Sequence, residues 1–341
     1  QQNWRRLCTE LQTYVTLQGR ESTRLVDFLK DQGVELESLY RSSGRSGWTC
    51  LKRQAGLLPG EASQEEEYFG RRFADLLHVD DVERLAFLAQ VTQSRAAHEL
   101  KEAHPNQHGR EAVAMSGSAL LKDAGSARER RLLQMLAYQI DAGHQQKETG
   151  AAFLARLMES PMSFQELGEL AEVLSSRNVL PARSIPGMED LPLCLHASYG
   201  VREILTAVSW LTDTRRSPFQ AGVLALPERR TELLFVTLDK REGYHQRIAY
   251  HDYAISAERF HWQTQNSAGP DTKVGRRYLE SPDNGWRFQL FVRQTRKDPY
   301  RACGPVALLQ AEGNRPMSIH WKLDVPLPAR LFQAFSVLRD A

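Results

Sequence analysis

The sequence predicts an α+β protein, with an N-terminal all-α helical bundle followed by a small antiparallel β-barrel that carries one or two packed helices. Three observations predict it. Residues 1–180 set their apolar side chains at helical spacing almost throughout. Pro181, Pro186, Gly187 and Pro192 then interrupt every regular pattern. Beyond them come seven or eight short runs rich in β-branched and aromatic residues, separated by turn formers. The break divides the chain into domains 1–184 and 185–341.

In the helical half, Trp4, Leu7, Leu11 and Val15 share one face, as do Leu25, Phe28 and Leu29, and Gly33 suits the end of that second helix. Ser63-Gln64-Glu65-Glu66 reads as a capping box, with Ser63 capping and Glu66 reaching back. It opens a helix whose inner face is Phe69, Phe73, Leu76 and Leu77. A further helix starts near Asp80-Asp81 and turns Leu85, Leu88 and Ala89 inward. Residues 126–142 supply Leu132, Leu133, Met135, Leu136 and Ile140. Ser163-Phe164-Gln165-Glu166 looks like a second capping box ahead of Leu167, Leu170 and Leu174. Eight or nine helices result, without an internal repeat.

In the second half, a helix is expected over 198–211, and strands over 222–226, 232–238, 250–255, 260–263, 276–279, 286–294, 306–310 and 317–323. Asn284-Gly285 reads as a hairpin turn, because both residues tolerate positive φ. Pro328 starts a closing helix, since its fixed φ suits a first turn.

Composition narrows the function. At 25% charged and 41% hydrophobic the chain is an ordinary globular one, and no run approaches the roughly 20 apolar residues of a membrane span. Cys8, Cys50, Cys194 and Cys303 form no CxxC pair, which excludes a metal knuckle and fits a reducing cytoplasm. The start lacks Met and an apolar leader, so we expect a piece of a longer protein. Residues 1–184 hold 23 Lys+Arg against 25 Asp+Glu (net −2), and residues 185–341 hold 21 against 17 (net +4). Of those 21 cations 17 are arginine, which grips phosphate bidentately.

Catalytic patterns are missing. There is no G-x-x-x-x-G-K-[ST] loop and no G-x-S-x-G elbow. His320-Trp321-Lys322 supplies the H-x-K of a phospholipase-D-type nuclease, but Leu327 stands where its Asp is needed. His104 and His108 are four apart near His98, yet Pro105 disrupts the helix that would align them as metal ligands. What stands out is the run from Tyr250 to Ser267, dense in Tyr, Phe, Trp, His, Asp and Gln. Strand alternation puts Tyr250 with Asp252, Phe260 with Trp262, and His261 with Gln263. The run suits a pocket for a flipped base, which needs aromatic faces for stacking and carboxylate or amide groups for its Watson–Crick edge. It equally suits a strand pair with Phe260 and Trp262 in the core and solvated polar residues outside.

At this run the sequence resembles the C-terminal domain, long labelled as of unknown function, of bacterial restriction proteins. In them it follows a phospholipase-D-type nuclease and a DEAD-box helicase. The resemblance rests on Leu193-Cys194-Leu195-His196-Ala197-Ser198-Tyr199, Val236-Thr237-Leu238-Asp239-Lys240, Tyr250-His251-Asp252-Tyr253-Ala254-Ile255-Ser256 and Phe260-His261-Trp262-Gln263-Thr264-Gln265. Gly275-Arg276-Arg277-Tyr278, Leu290-Phe291-Val292-Arg293 and Pro316-Met317 with Trp321-Lys322-Leu323 extend it. Gly47-Trp48-Thr49-Cys50-Leu51-Lys52-Arg53 is similar, more weakly, to the segment joining helicase to this domain. Thr264 departs from the pattern, where Ser is more usual, and keeps the hydroxyl.

The resemblance implies a reader of modified DNA, for 5-methylcytosine or 5-hydroxymethylcytosine, akin to SRA, EVE and YTH domains of the PUA-like group. It implies double-stranded DNA and the parent's helicase and nuclease domains as partners, and ATP and Mg only in the parent. No cofactor, metal or catalytic residue is expected in this chain. The expected base pocket comprises Tyr250, Asp252, Tyr253, Ser256, His261, Trp262, Gln263 and Gln265; the expected phosphate contacts are Lys240, Arg276, Arg277 and Arg293. Two alternatives stay open: a protein-interaction or regulatory module of a defence helicase without base readout, and a hydrolase using His196, His261 and Asp252.

Overall fold

The computed structural model describes residues 2–19, 23–41, 43–93, 126–140, 148–215, 219, 222–238 and 252–336. The chain forms two compact units, one of Gln1–Pro181 with Arg202–Arg216 and one of Ala182–Val201 with Ser217–Ala341.

The first unit is helical. Its described residues contain α1 (Gln2–Gln18), α2 (Leu25–Gln32), α3 (Trp48–Gln54), α4 (Gln64–Arg72), α5 (Val82–Gln93), α6 (Ala127–Ile140), α7 (Gly150–Met158), α8 (Pro161–Arg177) and α9 (Val201–Ala207). The apolar faces expected from the periodicity are the core: Trp4, Leu7, Leu11, Leu25, Phe28, Phe69, Phe73 and Leu133 are all buried. Gly33 ends α2 in the left-handed conformation, φ 61°, and its N–H returns to the Leu29 carbonyl. Ser63 Oγ caps α4 by accepting Glu66 N–H at 3.1 Å, but the Glu66 carboxylate turns away and takes a two-pronged bond from Arg53. Asp81 Oδ1 starts α5 by accepting Glu83 N–H at 2.9 Å.

The second capping box does not form. Helix α8 begins at Pro161, so Ser163 lies inside the first turn, where it bonds Ser160 Oγ at 2.8 Å. Glu166 is instead buried in the bundle, accepting from Tyr40 Oη at 2.8 Å and from Trp48 N–H at 2.5 Å. Burial pushes its carboxyl pKa above the usual range. Gly47 permits this approach: its φ is 98°, and a Cβ there would lie 2.7 Å from Glu166 Oε1. Helix α9 is shorter than the 198–211 expected, because Ser198–Tyr199 pair as a strand and Ser209, φ 62°, turns the chain away. Its Glu203 is fully buried against Arg84 and His78, so this helix belongs to the helical core.

The second unit holds β1 (Ser198–Tyr199), β2 (Val223–Leu226), β3 (Thr231–Thr237), β4 (Tyr253–Ser256), β5 (Arg259–Gln263), β6 (Arg287–Arg293), β7 (Tyr300–Gly313) and β8 (Met317–Leu323), with helices α10 (Lys273–Leu279) and α11 (Ala329–Phe335). The strands make one mixed sheet in the order β2-β3-β6-β7-β8-β5-β4, with β1 pairing β7. The expected closed antiparallel barrel is not formed. Strands β3 and β6 run parallel, and β2 and β4 stand at opposite ends without joining. A parallel neighbour needs a long crossover, and the chain from β3 through β4, β5 and α10 to β6 supplies it.

Two local expectations fail together. Residues 276–279 are helix α10, not a strand: Thr272 Oγ1 caps it by accepting Gly275 N–H at 2.9 Å. Asn284-Gly285 closes the link from α10 into β6 rather than a hairpin, with Asn284 Oδ1 accepting Trp286 N–H. Strand β7 begins at Tyr300, six residues before the expected start, and is bent by bulges opposite β6 and β8.

The sheet is covered unequally. One face carries a continuous core of Leu234, Val236, Phe260, Trp262, Tyr278, Phe288, Leu290, Ile319, Trp321, Leu331 and Phe335. Among the described residues, the other face is covered at the β3–β6 end, where Phe235 stacks on Phe291 and Gln289 Nε2 donates to the Pro186 carbonyl at 2.8 Å. Every residue from Thr231 to Val236 is therefore buried, whereas β5 and β8 alternate between buried and accessible positions.

Candidate nucleic-acid face

The alternation in β4, β5 and β8 leaves one sheet face in contact with solvent. Register aligns Tyr253 with His261, His261 with His320 and His320 with Gln310, a row across four strands. Tyr253 stacks on His261 with ring centres 5.2 Å apart and planes 23° apart. His261 meets His320 edge-on at 5.1 Å. On one side of this row Arg259 pairs with Lys322, both exposed. On the other, Gln263 Nε2 donates to Ser318 Oγ at 3.3 Å, with Glu312 next across. Chemically, the face offers π surfaces, an amide with both donor and acceptor, and two cations at one margin.

The structure thus joins Tyr253, His261 and Gln263 from the expected pocket and sends others elsewhere. Trp262 packs in the core edge-on to Tyr278, so it presents no stacking face to a ligand. Asp252 is buried, and its Oδ1 accepts Gln263 N–H at 2.9 Å, a place a neighbouring strand's carbonyl usually fills. Ser256 Oγ serves the β4–β5 turn by accepting Glu258 N–H, and Gln265 lies exposed beyond the end of β5. Tyr250, His251 and Lys240 lie outside the described residues, as do His98, His104 and His108.

The expected phosphate arginines are largely engaged. Arg277 donates to buried Glu232 at 2.5 Å and lies over the Trp286 ring at 4.0 Å. Tyr278 Oη also donates to Glu232, which with burial pushes the phenol pKa far up. Arg293 bonds Thr237 Oγ1 at 2.8 Å and covers Tyr300. Arg276 is exposed. Gly275 does admit a close backbone, but that backbone is the protein's own: a Cβ would lie 1.8 Å from the Gly269 carbonyl oxygen.

His196 stands apart from the face, on the covering segment that precedes β1, with its backbone N–H donating to the Ala302 carbonyl. Burial, with Arg183 and Arg301 close by, pulls its pKa down to about 4. Among the described residues no group of three or more His, Cys, Asp or Glu is arranged to hold a metal ion, and no helix is long and apolar enough to cross a membrane. Arg259, His320 and Lys322 complete the face and were not picked from sequence. A signal was present, because Arg-Phe-His-Trp-Gln and Ser-Ile-His-Trp-Lys both alternate polar residues around a central His before Trp.

Fold and face together define a mixed-sheet module, covered by helices on one side and presenting an aromatic–imidazole row on the other. Residues 193–335 match the family described as "Domain of unknown function (DUF3427)". The curated proteins contain no match to the chain.

Proposed function

We propose that the sheet unit reads DNA through the open face of β4, β5 and β8, and that the base it reads is a modified cytosine, 5-methyl or 5-hydroxymethyl. The observation that carries the reading is the Tyr253–His261–His320 row with Arg259 and Lys322 at its margin. Stacking on such rings is worth roughly 1–3 kcal/mol per base. Gln263 supplies paired donor and acceptor for the base edge, and Arg259 and Lys322 meet phosphate. In this reading Asp252 positions Gln263 through its backbone rather than touching the base. The modified-cytosine assignment draws on the resemblance to restriction proteins. It makes this chain the specificity region of a cytoplasmic ATP-dependent helicase–nuclease, with 1–184 coupling the reader to the motor and no catalytic step or cofactor of its own.

The test is binding of the full chain to matched duplexes with and without modified cytosine at two salt concentrations. We expect preference for the modified duplex, lost in His261→Ala and Tyr253→Ala at unchanged melting temperature. Equal affinity for both duplexes, indifferent to these substitutions, would remove the proposal. A protein-interaction module is the second reading, favoured by the exposed apolar Ile255 (39%) and Leu309 (47%); it predicts no measurable duplex binding.

A further inference from the structure

The helical unit contains a second basic site that the sheet's role does not use. Trp4 and Arg5 in the first turn of α1 and Arg41, Ser43, Gly44 and Arg45 of the loop before α3 line a cleft of about 340 Å³. Among the described residues, no acidic side chain lines it. Among the described residues, none of its three guanidinium groups is paired with a carboxylate, although the next residue along, Arg6, pairs with Glu10. The Arg45 charge reaches Cys8 and Cys50, where it opposes the burial that raises both thiols.

The cleft is built rather than accidental. Ser46 Oγ accepts Arg41 N–H at 2.8 Å and donates to the Gly70 carbonyl at 2.7 Å, while Gly47 N–H bonds the Leu39 carbonyl at 2.7 Å. These bonds brace the loop from beneath, and Gly44 turns it at φ 75°. Trp4 is only 3% exposed, and its indole Nε1–H is buried without an acceptor. The same side chain lines the cleft.

We propose that this cleft is an oxyanion site that takes a phosphate group, from a free nucleotide or from a nucleic-acid strand. Three guanidinium forks match the several oxygens and multiple charge of phosphate better than the two oxygens of a carboxylate. The volume stands at the lower end of ligand pockets, roughly 300–1,000 Å³, so the cleft holds more than a lone anion.

The full chain is titrated with pyrophosphate, adenosine diphosphate and a short single-stranded oligonucleotide, read by tryptophan fluorescence and by melting temperature. Arg41→Gln with Arg45→Gln removes two charge-assisted contacts at exposed positions and should weaken pyrophosphate binding by about tenfold or more per contact. Arg6→Gln should leave it unchanged. Displacement of pyrophosphate by the oligonucleotide, lost in the double variant, assigns the site to a strand and separates it from any DNA held by the sheet. Displacement by the diphosphate alone assigns it to a nucleotide. Absence of pyrophosphate binding, or equal binding by wild type and double variant, overturns the proposal.

Discussion

Removing Arg277 tests whether it serves the fold or a phosphate. Its guanidinium sits 2.5 Å from a Glu232 carboxylate oxygen, with the Glu232 side chain 1% exposed and that of Arg277 15% exposed. In Arg277→Ala the carboxylate keeps only the Tyr278 hydroxyl as a described partner, and an uncompensated buried charge costs about 3–5 kcal/mol. Loss of the guanidinium over Trp286 adds about 0.5–1 kcal/mol. At roughly 2–4 °C per kcal/mol for a body of this size, melting should fall by on the order of 10 °C. Arg277→Lys keeps charge but not the planar fork, and should fall between wild type and alanine. Glu232→Met with Arg277→Met removes both charges and should recover most of the loss, since similar apolar volume replaces a buried pair at little cost. Urea and thermal unfolding, measured beside duplex affinity, give the answer. If Arg277→Ala melts within about 2 °C of wild type yet loses affinity for every duplex, Arg277 is a phosphate contact and this reasoning fails.

Further outcomes follow from the same geometry. Asp252→Ala should cost about 1–3 kcal/mol of stability by orphaning Gln263 N–H, while the ratio of modified to unmodified affinity persists; a stable variant without discrimination would restore Asp252 to the base. Arg259→Ala and Lys322→Ala should each weaken all duplexes alike and lower the salt slope by about one unit, read from affinity against log salt. Because His196 is held down at about pKa 4, the unfolded chain binds its proton first as pH falls below about 6.5; stability is full above that pH and declines down to about 4. The loss is at most about 3 kcal/mol, and His196→Asn should flatten this part of the stability–pH curve. A fragment of residues 193–335 carries α9 without Arg84 and His78, exposing Glu203, Ile204 and Leu205; it should self-associate on gel filtration where the full chain does not.

Much of the fold was legible because local pattern and burial coincide. The helical faces at Trp4–Val15 and Leu25–Leu29, the Gly33 stop and the Ser63 cap depend on residues within a turn or two of each other. So do strand β8, read to the residue as 317–323, and the alternation that separates His261 from Trp262. Residues 276–279 were misread because a short helix and a short strand show the same few apolar positions. The deciding feature was Thr272 at the cap, with Gly275 fitted against Gly269. The Glu166 box was misread for a related reason, since a capping sequence says nothing of whether the bundle needs its carboxylate for Tyr40 and Trp48.

The amino-acid order by itself determined the two composition classes and most element positions, because periodicity and turn chemistry act over a few residues. Only the tertiary structure decided that the sheet stays open with a parallel pair, and that its face unites His261 with His320, 59 positions apart in the sequence. It also turned Arg277 inward to Glu232 and left Arg5, Arg41 and Arg45 around one cleft. The physical reason is that pairing partners, burial and charge compensation are set by contacts between distant segments, whose free energies no local pattern carries.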